Sequence, residues 1–213
     1  AGFLETLRDM PDEALPKEQR EQYIDMMYEQ AHRMQAIVED LLTLSTLESS
    51  PGSDPRAVNM GALLQKARQQ IEALSGGRHQ LVWHIDETLD VLGAENELTS
   101  ALSNLLTNAV RYTPDGGTIT VRWEREPEGG ACYSVQDTGI GIPARHLARL
   151  TERFYRVDRG RSRAVGGTGL GLAITKHIAM RHDAELLITS EPGKGSVFSL
   201  RFPADRIAIA ETA

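Results

Sequence analysis

The sequence predicts an α+β chain of two domains, a helical hairpin followed by a mixed α/β domain. Three observations predict it. The run from Lys17 to about Ser49 holds neither glycine nor proline, the stretch Ser49 to Pro55 is rich in Ser, Pro and Gly, and from residue 56 helical and alternating patterns follow one another to Phe202. The boundaries read as a hairpin over 1–50, a linker over 51–55, a mixed domain over 56–203 and a loose tail over 204–213.

In the hairpin, Phe3, Leu4 and Leu7 share one face of a short helix from Gly2 to Met10, and prolines 11 and 16 bound a turn. The long helix carries Ile24, Met27, Ala31, Met34, Val38 and Leu41 at spacings of three and four, the seam of a coiled coil. Ile37, Leu44 and Leu47 widen that stripe, as expected of a helix buried against more than one partner. One hairpin cannot cover so much apolar surface. A four-helix bundle made by two chains is the economical solution, so a homodimer is expected.

Beyond the linker, Asn59 is placed to cap a helix through Leu74 that Gly76-Gly77 ends, with Leu63, Leu64, Ala67 and Ile71 inward. Leu81, Trp83 and Ile85 alternate as a strand, and Val91-Leu92 reads as a shorter one. Glu95 to Tyr112 is a helix with Leu98, Leu102, Leu105, Leu106 and Ala109 on its apolar face. Thr118–Arg125 and Ala131–Asp137 are expected to pair, as are Glu185–Ser190 and Ser196–Phe202 around Pro192-Gly193-Lys194-Gly195.

Composition narrows the function. A net charge of −7 argues against a general nucleic-acid binder, although Arg153, Arg156, Arg159, Arg161 and Arg163 crowd into eleven residues. The single cysteine, Cys132, excludes a disulfide framework, and no apolar stretch is long enough to span a membrane. The chain starts at Ala1 inside a helical pattern, as expected of an excised soluble fragment.

Four stretches carry chemistry. Gly166, Gly167, Gly169 and Gly171 fall within six residues, just before a helical pattern to Arg181; such a loop offers backbone N–H groups and a helix N-terminus to phosphate, and also suits a plain hinge. No Lys-Ser/Thr closes the run and Ile174 replaces the third glycine of a dinucleotide fingerprint, so neither familiar phosphate motif applies. Asn104 and Asn108 lie one turn apart beside apolar neighbours; their amide oxygens suit Mg²⁺ that already carries phosphate, or equally bond to nearby backbone. Asp137-Thr138-Gly139-Ile140-Gly141-Ile142 follows a strand and offers a carboxylate to an exocyclic amine, or an ordinary Asx turn. Phe154-Tyr155-Arg156 and the arginines to Arg163 suit a lid over an anion, or a solvated loop.

In order and spacing these stretches resemble the N, G1, F and G2 boxes of the sensor histidine kinases of two-component systems, over essentially the whole chain from Gly2 to Phe202. The resemblance implies a Bergerat-type (GHKL) ATP-binding sandwich, shared with the Hsp90, gyrase and MutL ATPases, behind a partial dimerisation and phosphotransfer hairpin. It implies ATP or ADP with Mg²⁺ as cofactors. Asn108, with Asn104 assisting, would hold the metal; Arg111 would contact phosphate and complete the catalytic group; Tyr112 would pack on the adenine. Asp137 would bond the adenine amine in a pocket shaped by Gly139, Gly141 and Ile142, with Ser196 near the base. Phe154, Tyr155 and Arg156 would close over the nucleotide, and Gly167, Thr168, Gly169, Leu170, Gly171 and Leu172 would hold its phosphates through backbone N–H groups. The implied partners are a second copy of the chain and a response regulator, and the implied parent is anchored in a bacterial inner membrane.

One departure stands out. The family's acceptor histidine, followed by an acid and a proline, is not found; His32 sits in Ala31-His32-Arg33-Met34 with neither, and the motif is expected upstream of Ala1, so this chain is not expected to phosphorylate itself. Two rival functions remain. A glutamate that would activate water is missing from position 104, which disfavours an ATP-driven conformational machine; intact Asn108, Asp137 and glycine loop disfavour a scaffold with an inert nucleotide site.

Overall fold

The computed structural model describes residues 16–50, 55–157 and 167–209. The short helix Gly2–Met10, its turn through Leu15, linker residues 51–54, the arginines from Arg159 to Arg163 and Gly166 lie outside the described residues.

Helix α1 (Lys17–Ser49) runs the full length of the glycine-free stretch. The domain that follows comprises β1 (Arg56–Val58), α2 (Met60–Ser75), β2 (Gln80–Ile85), β3 (Leu89–Gly93), α3 (Glu95–Tyr112), β4 (Thr118–Arg125), β5 (Ala131–Asp137), α4 (Ala144–Leu147), α5 (Gly171–Arg181), β6 (Glu185–Glu191), β7 (Gly195–Phe202) and β8 (Ile207–Ile209). Five strands form a mixed sheet in the order β2-β4-β5-β7-β6, with β2 and β4 parallel and the other neighbours antiparallel.

Alternation decides which face of that sheet is covered. Ile119, Val121 and Trp123 of β4, Tyr133 and Val135 of β5, and Phe198, Leu200 and Phe202 of β7 are buried on one side. There they share a core with Leu98, Leu102, Leu105 and Leu106 of α3 and with Ile174 and Ile178 of α5. Asn59 caps α2 as expected, its Oδ1 accepting from Ala62 N at 2.7 Å, and Gly76 ends the helix in the left-handed region at φ 56°.

Two elements depart from the sequence reading. Arg56–Val58, read as the start of the domain without a strand, is β1, and the tail beyond Pro203 is not loose as far as Ile209. A 3₁₀ turn at Ala204–Arg206 leads into β8, which pairs with β3, and β1 pairs with the other side of β3. Both additions are three residues long, too short for a period to register. Trp123 Nε1 donates to Leu89 O at 3.0 Å, tying the large sheet to this small one.

Helix α1 uses two faces. Leu44 and Leu47 are buried in the domain core, where α1 meets α5; burying two leucines is worth roughly 1.5–3 kcal/mol each. Around them, Glu48 bonds Arg153 and approaches His177 Nε2 at 3.4 Å. Arg181 donates to Leu47 O at 3.1 Å and Ser50 O at 2.8 Å while it forks onto Glu97 of α3 at 2.9 Å. By contrast Ile24, Met34, Val38 and Leu41 of the predicted seam are exposed, Met34 by 68%.

His182, at the end of α5, is buried. Its Nδ1 donates to Ile178 O at 2.8 Å and its Nε2 accepts from Ala94 N at 3.0 Å, which fixes a neutral ring that joins α5 to the start of α3. Burial pulls its pKa below the ordinary 6.5. Below about pH 6.5 the unfolded chain therefore takes up a proton that the folded chain refuses, so stability falls as pH drops through that value and continues down to the folded pKa. Urea unfolding between pH 7.5 and 5.5 should show this loss, and His182→Asn, although less stable at pH 7.5, should lose less over the interval.

Candidate functional site

Strand β5 ends in Asp137, and its backbone delivers the carboxylate to the covered side of the sheet. Buried carboxylates need donors. Asp137 Oδ1 accepts from Gly139 N at 2.8 Å, and the carboxylate also accepts from Ser196 N on the paired strand. Burial nonetheless dominates and holds its pKa above the ordinary aspartate range, against the lowering by those two N–H groups.

The turn after Asp137 is wedged between α3 and the β6–β7 turn. A Cβ on Gly139 would stand 2.4 Å from Tyr112 O, and one on Gly141, at φ 65°, would stand 2.0 Å from Glu191 O. Neither position admits a side chain, so glycine is what lets α3 and the β6–β7 turn close on this turn. Ile140 N donates to Tyr112 O at 3.3 Å, and Ile142 N donates to Ser190 Oγ at 2.7 Å. Ser190 also donates to Gly195 O and meets Ser196 Oγ, each at 2.9 Å. The sequence reading missed Ser190. Its one signal is the register of the β6–β7 hairpin, which sets it opposite Ser196.

The glycine loop lies at the other end of the α3 face. Asn104 Nδ2 donates to Gly171 O at 3.2 Å, tying α3 to the first turn of α5. Asn108, one turn on, is half-buried. Thr168 Oγ1 accepts from Leu170 N at 3.1 Å and donates to Asp40 Oδ2 of α1 at 2.5 Å. Leu170 is fully buried and Leu172 packs against the core, so both offer only backbone to this loop.

Positive charge converges on Gly167. Arg156 Nη1 donates to its carbonyl at 2.5 Å, and Arg111 lies close enough to meet a Cβ placed there. Burial lowers the pKa of Arg156, and Arg33 of α1 and Arg111 lower it further while Tyr112 opposes them. Crowded cations of this kind are relieved by an anion.

The residues before Arg156 are placed less simply. Phe154 sits at φ 61°, a left-handed conformation that costs a bulky residue about 1–3 kcal/mol, and its N–H donates to Gly169 O at 2.9 Å. Tyr155 turns away to α4, its hydroxyl 2.6 Å from His146 Nδ1 and its ring 4.3 Å from the Arg149 guanidinium carbon. Thus Asp137, Gly139, Gly141, Ile142 and Ser196 gather at one end, and Asn104, Arg111, Arg156 and residues 167–171 at the other. Tyr155 is engaged elsewhere.

Comparison with known proteins gives the family. Residues 93–206 match the model of the histidine kinase-, DNA gyrase B- and HSP90-like ATPases, and residues 1–50 match the His Kinase A (phospho-acceptor) domain. The chain belongs to the sensor histidine kinases. It is 50% identical to the phosphate regulon sensor protein PhoR of Pseudomonas aeruginosa, over 99% of this chain and 47% of that protein. The PhoR of Haemophilus influenzae is 36% identical over 95% of the chain and 47% of its own length. The chain therefore spans about half the length of these relatives. Among solved structures, full-length ShkA in complex with AMPPNP matches with a TM-score of 0.75 at 24% identity, covering 93% of this chain and 41% of that one, a likeness of fold.

Within this histidine kinase frame the two ends of the site are differently built. The carboxylate end rests on paired strands and the phosphate-suited end on loops that also touch α1. Among the described residues no group of three His, Cys, Asp or Glu could hold a metal, and no helix is long and apolar enough to cross a membrane.

Proposed function

We propose that this chain is the ATP-binding and helical core of a phosphate-regulon-type sensor kinase, with residues 56–203 as the nucleotide domain and 51–55 as the linker. In the whole protein it would pass the γ-phosphoryl of ATP to a histidine and then to an aspartate of a response regulator. The observation that carries this reading is Asp137, a buried carboxylate held by two N–H groups beside a backbone too close for any side chain. Such a group is suited to an exocyclic amine at the edge of a flat ring.

Residue roles follow from position. Asp137 accepts from the adenine amine, Gly139, Gly141 and Ile142 form the floor, and Tyr112 covers the base. Arg111, Arg156 and the N–H groups from Thr168 to Leu172 hold the phosphates. Asn108 and Asn104 Oδ1 fit a Mg²⁺ that draws its remaining ligands from phosphate and water. Bound there, Mg²⁺ would neutralise phosphate charge, and the chain's own part is placement and opposing charge. Phe154 lies against the loop through its backbone, whereas Tyr155 supports the wall from the side of His146.

The exposed seam of α1 fits a second copy of the chain, which would complete a four-helix bundle and offer a response regulator its docking helices. The inner-membrane anchor belongs to the remainder of the parent protein. His32 is not the acceptor in this reading, because neither acid nor proline follows it and its ring packs edge-on against Tyr28 at 4.3 Å.

Three experiments test the proposal. Calorimetric titration should show ATP binding that Asp137→Asn weakens at least tenfold, since a hydrogen bond to a charged group is worth roughly 1.5–3 kcal/mol. Because burial raises the Asp137 pKa, affinity should fall on acidification at a pH above that of an exposed aspartate. The effect on folding has the opposite sign, as the ionised buried group costs stability that acid relieves. An affinity unchanged by Asp137→Asn would refute the assignment.

In sedimentation the chain should be dimeric at high concentration and Met34→Glu monomeric, a charge at a buried seam being costly. A monomeric unmutated chain would count against the bundle.

With γ-³²P-ATP the chain alone should stay unlabelled, since placing the imidazole in line can be worth about 7–11 kcal/mol. Acid-labile label that disappears in His32→Ala would reverse this.

A further inference from the structure

Strands β5, β7 and β6 place Asp137, Ser196 and Ser190 in one row. Asp137 is the direct partner of Ser196, and Ser196 of Ser190, so all three side chains stand on the same face of the sheet. Ser196 is buried, next to the carboxylate that its own N–H supports.

The hydroxyl at the end of the row has a single proton and no choice of use. Ser190 Oγ lies 2.9 Å from Gly195 O, which can only accept, so its proton goes there. Its lone pairs then take the N–H of Ile142 at 2.7 Å and the hydroxyl of Ser196 at 2.9 Å. Ser196 must therefore donate to Ser190, and what its oxygen offers toward Asp137 and the pocket is lone pairs.

We propose that Ser190 is a positioning residue that fixes the hydrogen-bond polarity of Ser196 and so makes the base site selective for a purine with an amino group at C6 over one with an oxo group there. This rests on the nucleotide reading above. With Asp137 ionised and Ser196 turned toward Ser190, both of these side chains offer only acceptors. A 6-amino group brings donors to them. A 6-oxo group brings a further acceptor, which finds no proton on either and leaves buried polar groups opposed.

Removing the Ser190 hydroxyl changes two things. Ser196 loses its acceptor and is free to rotate and donate into the pocket, and Ile142 N–H loses its partner beneath the floor. The first relaxes selectivity and the second weakens binding of any base, so the two are separable by comparing nucleotides.

The test is calorimetric titration of the whole chain with Mg·ATP and Mg·GTP. The unmutated chain should prefer ATP. In Ser190→Ala the ratio of ATP to GTP affinity should fall about tenfold, and Ser190→Thr, which keeps the hydroxyl, should retain it. Equal weakening of both nucleotides in Ser190→Ala would make Ser190 merely structural and overturn the proposal. Should that variant fail to fold by near-UV circular dichroism, Ser196→Ala decides, because Ile142 keeps its partner there. A lowered ratio in Ser196→Ala supports the assignment and an unchanged one overturns it. If the unmutated chain binds no ATP, the nucleotide reading falls and this inference with it; ATP binding with unchanged ratios removes this inference alone.

Discussion

Burying the carboxylate of Asp137 constrains more of this domain than any other single interaction. A charge in that position is tolerable only with donors at hand, and both come from backbone: Gly139 N in the turn that follows, and Ser196 N across the sheet. The first requires a turn tight enough that two of its positions must be glycine. The second requires β7 to pair with β5 in one register, because a shift by one residue would send Ser196 to the opposite face. The β6–β7 turn in turn presses on the turn after Asp137, where Glu191 O leaves no room for a side chain at Gly141. Sheet register and site chemistry are thus one constraint.

Charge at the opposite end is managed by proximity of domains. Arg33 and Asp40 both come from α1, and both reach the glycine loop's surroundings, one adding to the positive field at Arg156 and the other receiving the Thr168 hydroxyl. The helix that exposes its seam on one face buries Leu44 and Leu47 on another and ends in the grip of Arg181. Since Arg181 also forks onto Glu97, the end of α1 and the beginning of the asparagine-bearing helix α3 share one side chain. Movement of α1 relative to the domain would first have to break the Arg181 bonds to Leu47 O and Ser50 O.

Much of this was legible in the sequence. The bounds of α1, α3, β4 and β5 follow from glycine and proline placement and from clean apolar periods, and the order of the four polar stretches led to the family. What stayed hidden was non-local. Strands β1 and β8 are three residues each and exist because β3 lies between them. Leu44 and Leu47 widened the stripe without revealing that α5 would cover them. Tyr155 follows Phe154 in a motif that reads as a lid, yet its hydroxyl is captured by His146, nine positions earlier in the chain. Ser190 looks like any strand serine until the hairpin register places it beside Ser196.

The division of labour between the two ends has a physical basis. Telling one base from another depends on the direction of a few hydrogen bonds, which must not drift by more than a few tenths of an ångström, and paired strands hold such positions well. Holding phosphate depends on summed charge and on N–H groups that tolerate several geometries, so loops suffice and can also serve contacts with another domain. A kinase whose acceptor lies on a separate helical element needs the second end to respond to that element's position while the first stays fixed. Here Asp137, Ser196 and Ser190 stand in the sheet, and Thr168 and Arg153 touch α1. On the proposed reading, base recognition would persist while α1 changes its contacts with the phosphate-suited end.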